Sequence, residues 1–399
     1  MPRTAKRAND LPLSPFRKLI PLANIAKANG KHIYHLNIGQ PDIKSPKNAL
    51  NALKDQLPQI LEYSPSNGYL SYRTKMVDYL STFGIRNLTP DDIQITTGAS
   101  EALQLVLFAC CDREDEVIIP EPFYANYNGF AYIADVRIVP ITSHIEEGFA
   151  LPKIEAFRKK ITSKTKAIII SNPNNPTGAL YEKEMLIALA KLAKEKDLFL
   201  IIDEVYREFC FDEKPFYTPL QSNEFDKNII IVDSVSKRYS SCGARIGAII
   251  CKNRMVIATI DKYAKLRLSP PGLGQRYSEA LIDTPAAYME EVTEEYHARR
   301  DVVFNALQKM EGVISYKPGG AFYCFAQLPI DDAERFCRWL LEDFEHKGAT
   351  VMISPGEGFY ATKGMGKQQV RIAYVLNTDD LARAMECLAV ALKVYRSND

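Results

Sequence analysis

The segment of this chain best equipped for chemistry is Ser234-Val235-Ser236-Lys237, followed by Gly243-Ala244-Arg245-Ile246-Gly247. It comes directly after an apolar run, so the lysine stands on a turn at the end of a buried strand. Desolvation and neighbouring cations in such a place favour the neutral amine, the form that adds to an aldehyde to make a Schiff base. Arg245 lies eight residues further on, between glycines that permit close backbone approach. A guanidinium so placed can clamp a phosphate through two parallel hydrogen bonds. Thr97-Gly98-Ala99-Ser100 offers the complementary feature, small residues that expose backbone N–H groups at the start of a helix, where anions bind. Ser100 is equally suited to capping that helix.

The elements that must position these residues follow from hydrophobic periodicity. Short β-branched runs at 93–97, 116–120, 136–140, 166–171, 198–203, 228–233 and 246–251 alternate with amphipathic stretches such as 101–111 and 182–196. Near-continuous apolar strands separated by helices predict an α/β fold, a mostly parallel sheet covered on both faces. Such sheets bind ligands beyond the carboxyl ends of their strands. There the chain carries Gly98-Ala99-Ser100, then Asn172 to Gly178 with Asn175, then Asp203-Glu204-Val205-Tyr206, then the lysine segment. Four clusters leaving one edge of one sheet should converge on one pocket. A long charged helical pattern at 287–309, followed by short strands near 313–317, 322–327 and 370–374, predicts a smaller α+β domain. The expected division is an N-terminal segment (1–45) packing with the small domain (287–399), and a large domain between them (46–286).

Composition narrows the function classes. Fifty Lys+Arg against 49 Asp+Glu, a net charge of +1, lacks the basic excess expected of a nucleic-acid binder. No apolar run approaches the ~18 residues of a membrane span, and no apolar stretch follows the basic N-terminal residues as in a signal peptide. A cytoplasmic enzyme is expected, without membrane or nucleic-acid partners. The eight cysteines form no Cys-x-x-Cys pair and read mostly as buried thiols; the five scattered histidines predict no metal site.

Taken together and in order, the motifs resemble those of the fold-type I, pyridoxal-phosphate-dependent class I/II aminotransferases, specifically the aspartate/aromatic branch. The resemblance runs from Asn37-Ile38-Gly39-Gln40-Pro41-Asp42 to Arg371. It implies a large cofactor-binding domain, pyridoxal 5'-phosphate as cofactor, and a homodimer with shared active sites. By the same resemblance Lys237 binds the cofactor aldehyde and shuttles the substrate α-proton. Ser234, Ser236 and Arg245, with Ala99 and Ser100 opposite, hold the phosphate. Asp203 pairs with the ring nitrogen, keeping it protonated so that the ring acts as an electron sink. Tyr206 and Asn175 donate to the ring oxygen, Tyr124 stacks on the ring, Arg371 with the Gly39 backbone holds the substrate carboxylate, and Tyr63 reaches the phosphate of the partner subunit.

The reaction so implied is amino transfer from an L-amino acid, aspartate in the first place, to a 2-oxo acid such as 2-oxoglutarate. Aromatic or broad specificity is the alternative, and a carbon–sulfur lyase a further one, because the same cofactor serves both chemistries. In one bacterial aspartate branch a lysine in the phosphate-side turn reads the distal carboxylate, but Ser100 stands there in this chain. In the animal and enteric aspartate aminotransferases a distal-carboxylate arginine lies just before a similar Pro-Pro turn, and by that resemblance Arg267, before Ser269-Pro270-Pro271, is the candidate reader.

Overall fold

The computed structural model describes residues 2–11, 17–55 and 57–397. Its centre is a seven-stranded sheet whose strands we number in chain order. They are β1 (Ile93–Thr96), β2 (Glu116–Glu121), β3 (Arg137–Thr142), β4 (Thr165–Ser171), β5 (Phe199–Asp203), β6 (Ile229–Ser234) and β7 (Gly247–Ile250). The spatial order is β1-β7-β6-β5-β4-β2-β3, parallel throughout except that β7 runs antiparallel to both its neighbours.

Alternation along the strands builds a first core in two separate layers. Ile168, Ile170, Leu200, Ile202, Ile229 and Ile231 face one cluster, while Ala167, Ile169, Ile201, Ile230 and Val232 face the other. This is the period-two geometry of a strand buried on both faces, and it explains why these runs are apolar without interruption. Helices such as Lys183–Glu195 cover one face and Gly98–Cys110 with Arg254–Leu266 the other.

Beside the two layers of this first core, a second core joins distant parts of the chain. Leu19, Ala23, Ala26, Ile33 and Leu36 pack with residues of the helices Ala286–Gln308, Ala333–Glu342 and Thr378–Ser397. The short strand His32–His35 pairs in parallel with Ala349–Met352, and Lys31 Nζ donates to the carbonyls of Leu341 and Phe344 at 3.3 and 2.8 Å. An antiparallel four-stranded sheet, in which Tyr323–Gln327 pairs with Gln369–Ala373, completes this smaller α+β unit. Val205, Tyr206, Phe209 and Phe211, which follow β5, also belong to this second core. The exit of β5 therefore crosses from one unit to the other. Among the described residues no helix is long and apolar enough to cross a membrane.

Candidate active site

Strand register brings the polar ends together. Ser171 of β4 pairs with Asp203 of β5, and Gly247 of β7 pairs with both Thr96 of β1 and Ser234 of β6. Beyond this edge lies a cavity of about 300 Å³. Gly39, Ala99, Ser100, Tyr124, Asn175, Asp203, Tyr206, Ser234, Ser236, Lys237, Arg245 and Arg371 all line it.

One end is built to receive an anion. The helix Gly98–Cys110 points its N-terminus at the cavity, and Gly98 has φ +75. A Cβ at Gly98 would stand 2.5 Å from Arg245 Nη2, and one at Gly247 would stand 2.7 Å from the Ala99 nitrogen. Glycine at both positions lets the β7 backbone, the guanidinium and the helix N-terminus share one small volume. Arg245 itself has φ +53, and its Nη1 donates to the Cys242 carbonyl at 3.0 Å. The Ser234 hydroxyl lies 2.8 Å from that of Ser236 and accepts from the Ser236 N–H at 3.2 Å. Hydroxyls, guanidinium and helix N–H groups together suit a phosphate.

The floor carries a buried carboxylate. Asp203 is 5% exposed; Tyr127 donates to its Oδ2 at 2.9 Å and the Val205 N–H to its Oδ1 at 3.4 Å. Burial pushes its pKa up to about 6 against these two hydrogen bonds. A carboxylate held so is suited to a cationic ring nitrogen, whose charge would restore its ionised form.

At the other end, Lys237 Nζ donates to the Gly39 carbonyl at 2.8 Å. Gly39 has no room for a side chain, since a Cβ would fall 1.7 Å from the Tyr323 hydroxyl oxygen. Arg371 is 2% exposed; it donates to Asn175 Oδ1 at 3.0 Å and to the Asn37 carbonyl at 2.6 Å. Its guanidinium lies 4.5 Å from the Tyr323 ring centre and 5.0 Å from that of Phe359. With Oδ1 of Asn175 engaged, the donor end of that amide remains for a ligand. The Tyr206 and Tyr323 hydroxyls are 2.7 Å apart, and Tyr124 OH accepts from Asn126 Nδ2 at 2.7 Å.

Two residues from the sequence reading lie elsewhere. Tyr63 is 77% exposed and does not line the cavity. Arg267 corrects an expectation, for its donors serve the protein itself. Nε binds Glu101 Oε1 at 2.9 Å, Nη1 the Ser66 carbonyl at 3.0 Å and Nη2 the Ile95 carbonyl at 2.8 Å. Glu101 in turn accepts from the Thr97 N–H at 2.5 Å, so Arg267 braces the anion-binding turn instead of facing the cavity. The sequence reading missed Tyr127, Tyr323, Cys242 and Arg17. Only Cys242 and Arg17 had a visible hint, one beside the lysine segment and the other among the basic N-terminal residues.

The match to known proteins spans most of the chain. The family model for class I and II aminotransferases matches residues 31–388. The chain belongs to that family. It is therefore a fold-type I, pyridoxal-phosphate-dependent aminotransferase. An aspartate aminotransferase from Pyrococcus horikoshii is 30% identical over 366 residues, covering 90% of this chain and 91% of the relative. Among solved structures, an aspartate aminotransferase from Thermus thermophilus with maleate superposes with a TM-score of 0.89 at 28% identity, covering 98% of this chain and 100% of that one. An alanine aminotransferase from Pyrococcus furiosus does so with a TM-score of 0.90, also at 28% identity and with the same coverage. Aminotransferases of this fold thus carry different substrate names at equal similarity, and the chemistry of the family is better fixed than the donor.

Proposed function

We propose that this aminotransferase moves the amino group of L-aspartate to 2-oxoglutarate as a homodimer, with Lys237 as the proton-transferring residue. The carrying observation is that Lys237, Asp203, Arg245 and Arg371 line one cavity. Pyridoxal phosphate fits that lining. Arg245, Ser234, Ser236, Ala99 and Ser100 would hold its phosphate, Asp203 its ring nitrogen, Tyr206 and Asn175 its ring oxygen, and Tyr124 its ring face. When bound, the cofactor supplies an electron sink for the substrate carbanion.

The protein's own part is orientation and proton movement. Arg371, locked by Asn175 and the Asn37 carbonyl, presents a pre-oriented guanidinium to the substrate α-carboxylate. That fixes the α-hydrogen towards Lys237 Nζ, which accepts the proton and later returns it. A positioned general base typically contributes 10²–10⁴-fold. The homodimer reading is supported by exposed Ile60, Leu61, Tyr63, Leu70, Leu266 and Leu268, apolar side chains better suited to a second copy than to water. Eight free cysteines suit a reducing compartment such as the cytoplasm.

The test is an amino-donor panel with 2-oxoglutarate as acceptor, alongside borohydride reduction. Aspartate should be the preferred donor, and reduction should fix the cofactor to the unsubstituted protein but not to Lys237→Ala. Labelling that persists at another lysine overturns the assignment. Pyruvate release from cystathionine without an amino acceptor would make the enzyme a lyase. Aromatic donors belong in the panel, since Tyr124, Tyr206 and Tyr323 line the same cavity.

A further inference from the structure

The cavity holds more cations than the reaction has yet used. Its lining carries Lys237, Arg245, Arg371 and Arg17 against the single carboxylate of Asp203. Lys237 moves the proton, Arg245 stands at the anion-binding end, and Arg371 takes the α-carboxylate. Arg17 has no assigned partner.

Its position is fixed by its neighbours. Arg17 opens the turn Arg17–Leu19 that leads into the helix Ile20–Ala28. Lys18 faces Glu334 at 3.5 Å, and Leu19 is packed in the second core at 2% exposure. With one neighbour turned outward and the other inward, Arg17 is left at the cavity. It is exposed, and it makes no hydrogen bond or ion pair among the described residues. Arg371 and Arg17 both act electrostatically on the Tyr124 phenol, although burial is the larger influence there. Arg371 is buried and Arg17 exposed, so one cavity offers an inner and an outer guanidinium, as many as a dicarboxylic amino acid has carboxylates.

We propose that Arg17 binds the distal carboxylate of a dicarboxylic substrate and so sets the donor specificity of the enzyme. The inference rests on the aminotransferase reading and on Arg371 holding the α-carboxylate. It fills the place from which Arg267 is removed by its bonds to Glu101, Ser66 and Ile95. A monocarboxylic donor needs one guanidinium only. A planar fork pairing with a carboxylate discriminates by charge and by geometry together.

The test uses the holoenzyme with aspartate and alanine as donors, and maleate as a non-reacting dicarboxylate followed by the cofactor's absorbance. Arg17→Ala should lower the aspartate-to-alanine ratio of kcat/KM about 10- to 100-fold, the range expected for a lost charged hydrogen bond. Maleate affinity should fall comparably, and Arg17→Lys should lie between the two. The effect should persist in about 0.5 M salt, where simple steering by an exposed charge is screened. A ratio within about threefold of the unsubstituted enzyme overturns the proposal, as does an equal loss with both donors, or an effect abolished by salt. Unsubstituted enzyme that transfers from alanine but neither uses aspartate nor binds maleate overturns it as well. Failure to transfer from any donor, with cofactor bound, would instead overturn the aminotransferase reading itself.

Discussion

Tyr127 donates its hydroxyl hydrogen to Asp203 Oδ2 at 2.9 Å, and both groups are buried. This bond is the larger of the two hydrogen bonds that oppose burial in setting the carboxyl's pKa near 6. Tyr127→Phe removes it without changing the ring. The carboxyl pKa of the apoprotein should rise further, and with the cofactor bound kcat should fall about tenfold across the profile, the equivalent of one ordinary hydrogen bond. Steady-state kinetics between pH 5 and 9 check this. A profile that superposes on that of the unsubstituted enzyme would show the bond to be incidental.

Asp203 also links the cavity to stability. Its folded-state value of about 6 stands above the ordinary 3.8. The folded apoprotein therefore keeps a proton that the unfolded chain releases between those two values. This group's contribution to stability falls as pH rises through that window. Asp203→Asn removes the contribution, so the variant apoprotein should gain on the unsubstituted one as pH rises. The gain should level off near pH 6 to 7 at about 3 kcal/mol. Urea unfolding at a series of pH values measures the difference, and two parallel stability curves would contradict it.

Arg267→Ala should separate bracing from recognition. The Arg267–Glu101 pair is 19% exposed on each side, and three protein acceptors each lose one donor, the Ser66 and Ile95 carbonyls keeping Gln94 Nε2. A stability loss of about 2 kcal/mol is expected. The anion-binding turn held through Glu101 should loosen, weakening cofactor binding. The aspartate-to-alanine ratio of kcat/KM should stay unchanged. Denaturant unfolding, cofactor titration and the two-donor assay report these three quantities. A collapse of the ratio with stability intact would return Arg267 to the substrate.

Sharing of the active site has its own experiment. Tyr63→Phe and Lys237→Ala are first shown to be individually severe, then the two homodimers are mixed and allowed to exchange subunits. If Tyr63 serves the partner's phosphate, a heterodimer concentrates both lesions in one site and leaves the other intact. Activity should recover towards about half of the unsubstituted level per heterodimer, since one of its two sites is whole. No recovery after exchange is verified by mass spectrometry would confine Tyr63 to its own subunit.

The large-sheet strands are legible in the sequence because all but the edge strand Arg137–Thr142 are buried almost throughout. Ile168-Ile169-Ile170 and Ile229-Ile230-Ile231 each feed both layers of the first core and leave no position for a polar residue. The residues at the strand ends are legible for the opposite reason: Ser171, Asp203 and Ser234 are polar groups placed where an apolar run stops. Tyr127 and Tyr323 left no such trace. They reach the site from a helix and from the second sheet, through contacts with no fixed sequence spacing, and their neighbours are ordinary core residues. Arg267 misled because a cation beside a Pro-Pro turn looks the same whether its partner is a substrate or Glu101. Only the three acceptor distances separate those cases.

The pairing of His32–His35 with Ala349–Met352 sets an order of assembly during synthesis. The two layers of the first core draw on residues between Ala49 and Leu281, a contiguous stretch, and can close while the ribosome is still working. The second core cannot, because Leu19, Ala23 and Ile33 wait for partners from Val292 to Tyr395. The nascent chain must therefore carry an unpaired strand and an uncovered amphipathic helix at its N-terminus until its last hundred residues emerge. Arg245, Ser234 and Lys237 are in place before that point, whereas Gly39 and Arg371 meet only after it. The cofactor's half of the cavity is thus the earlier product of folding, and the substrate's half the last.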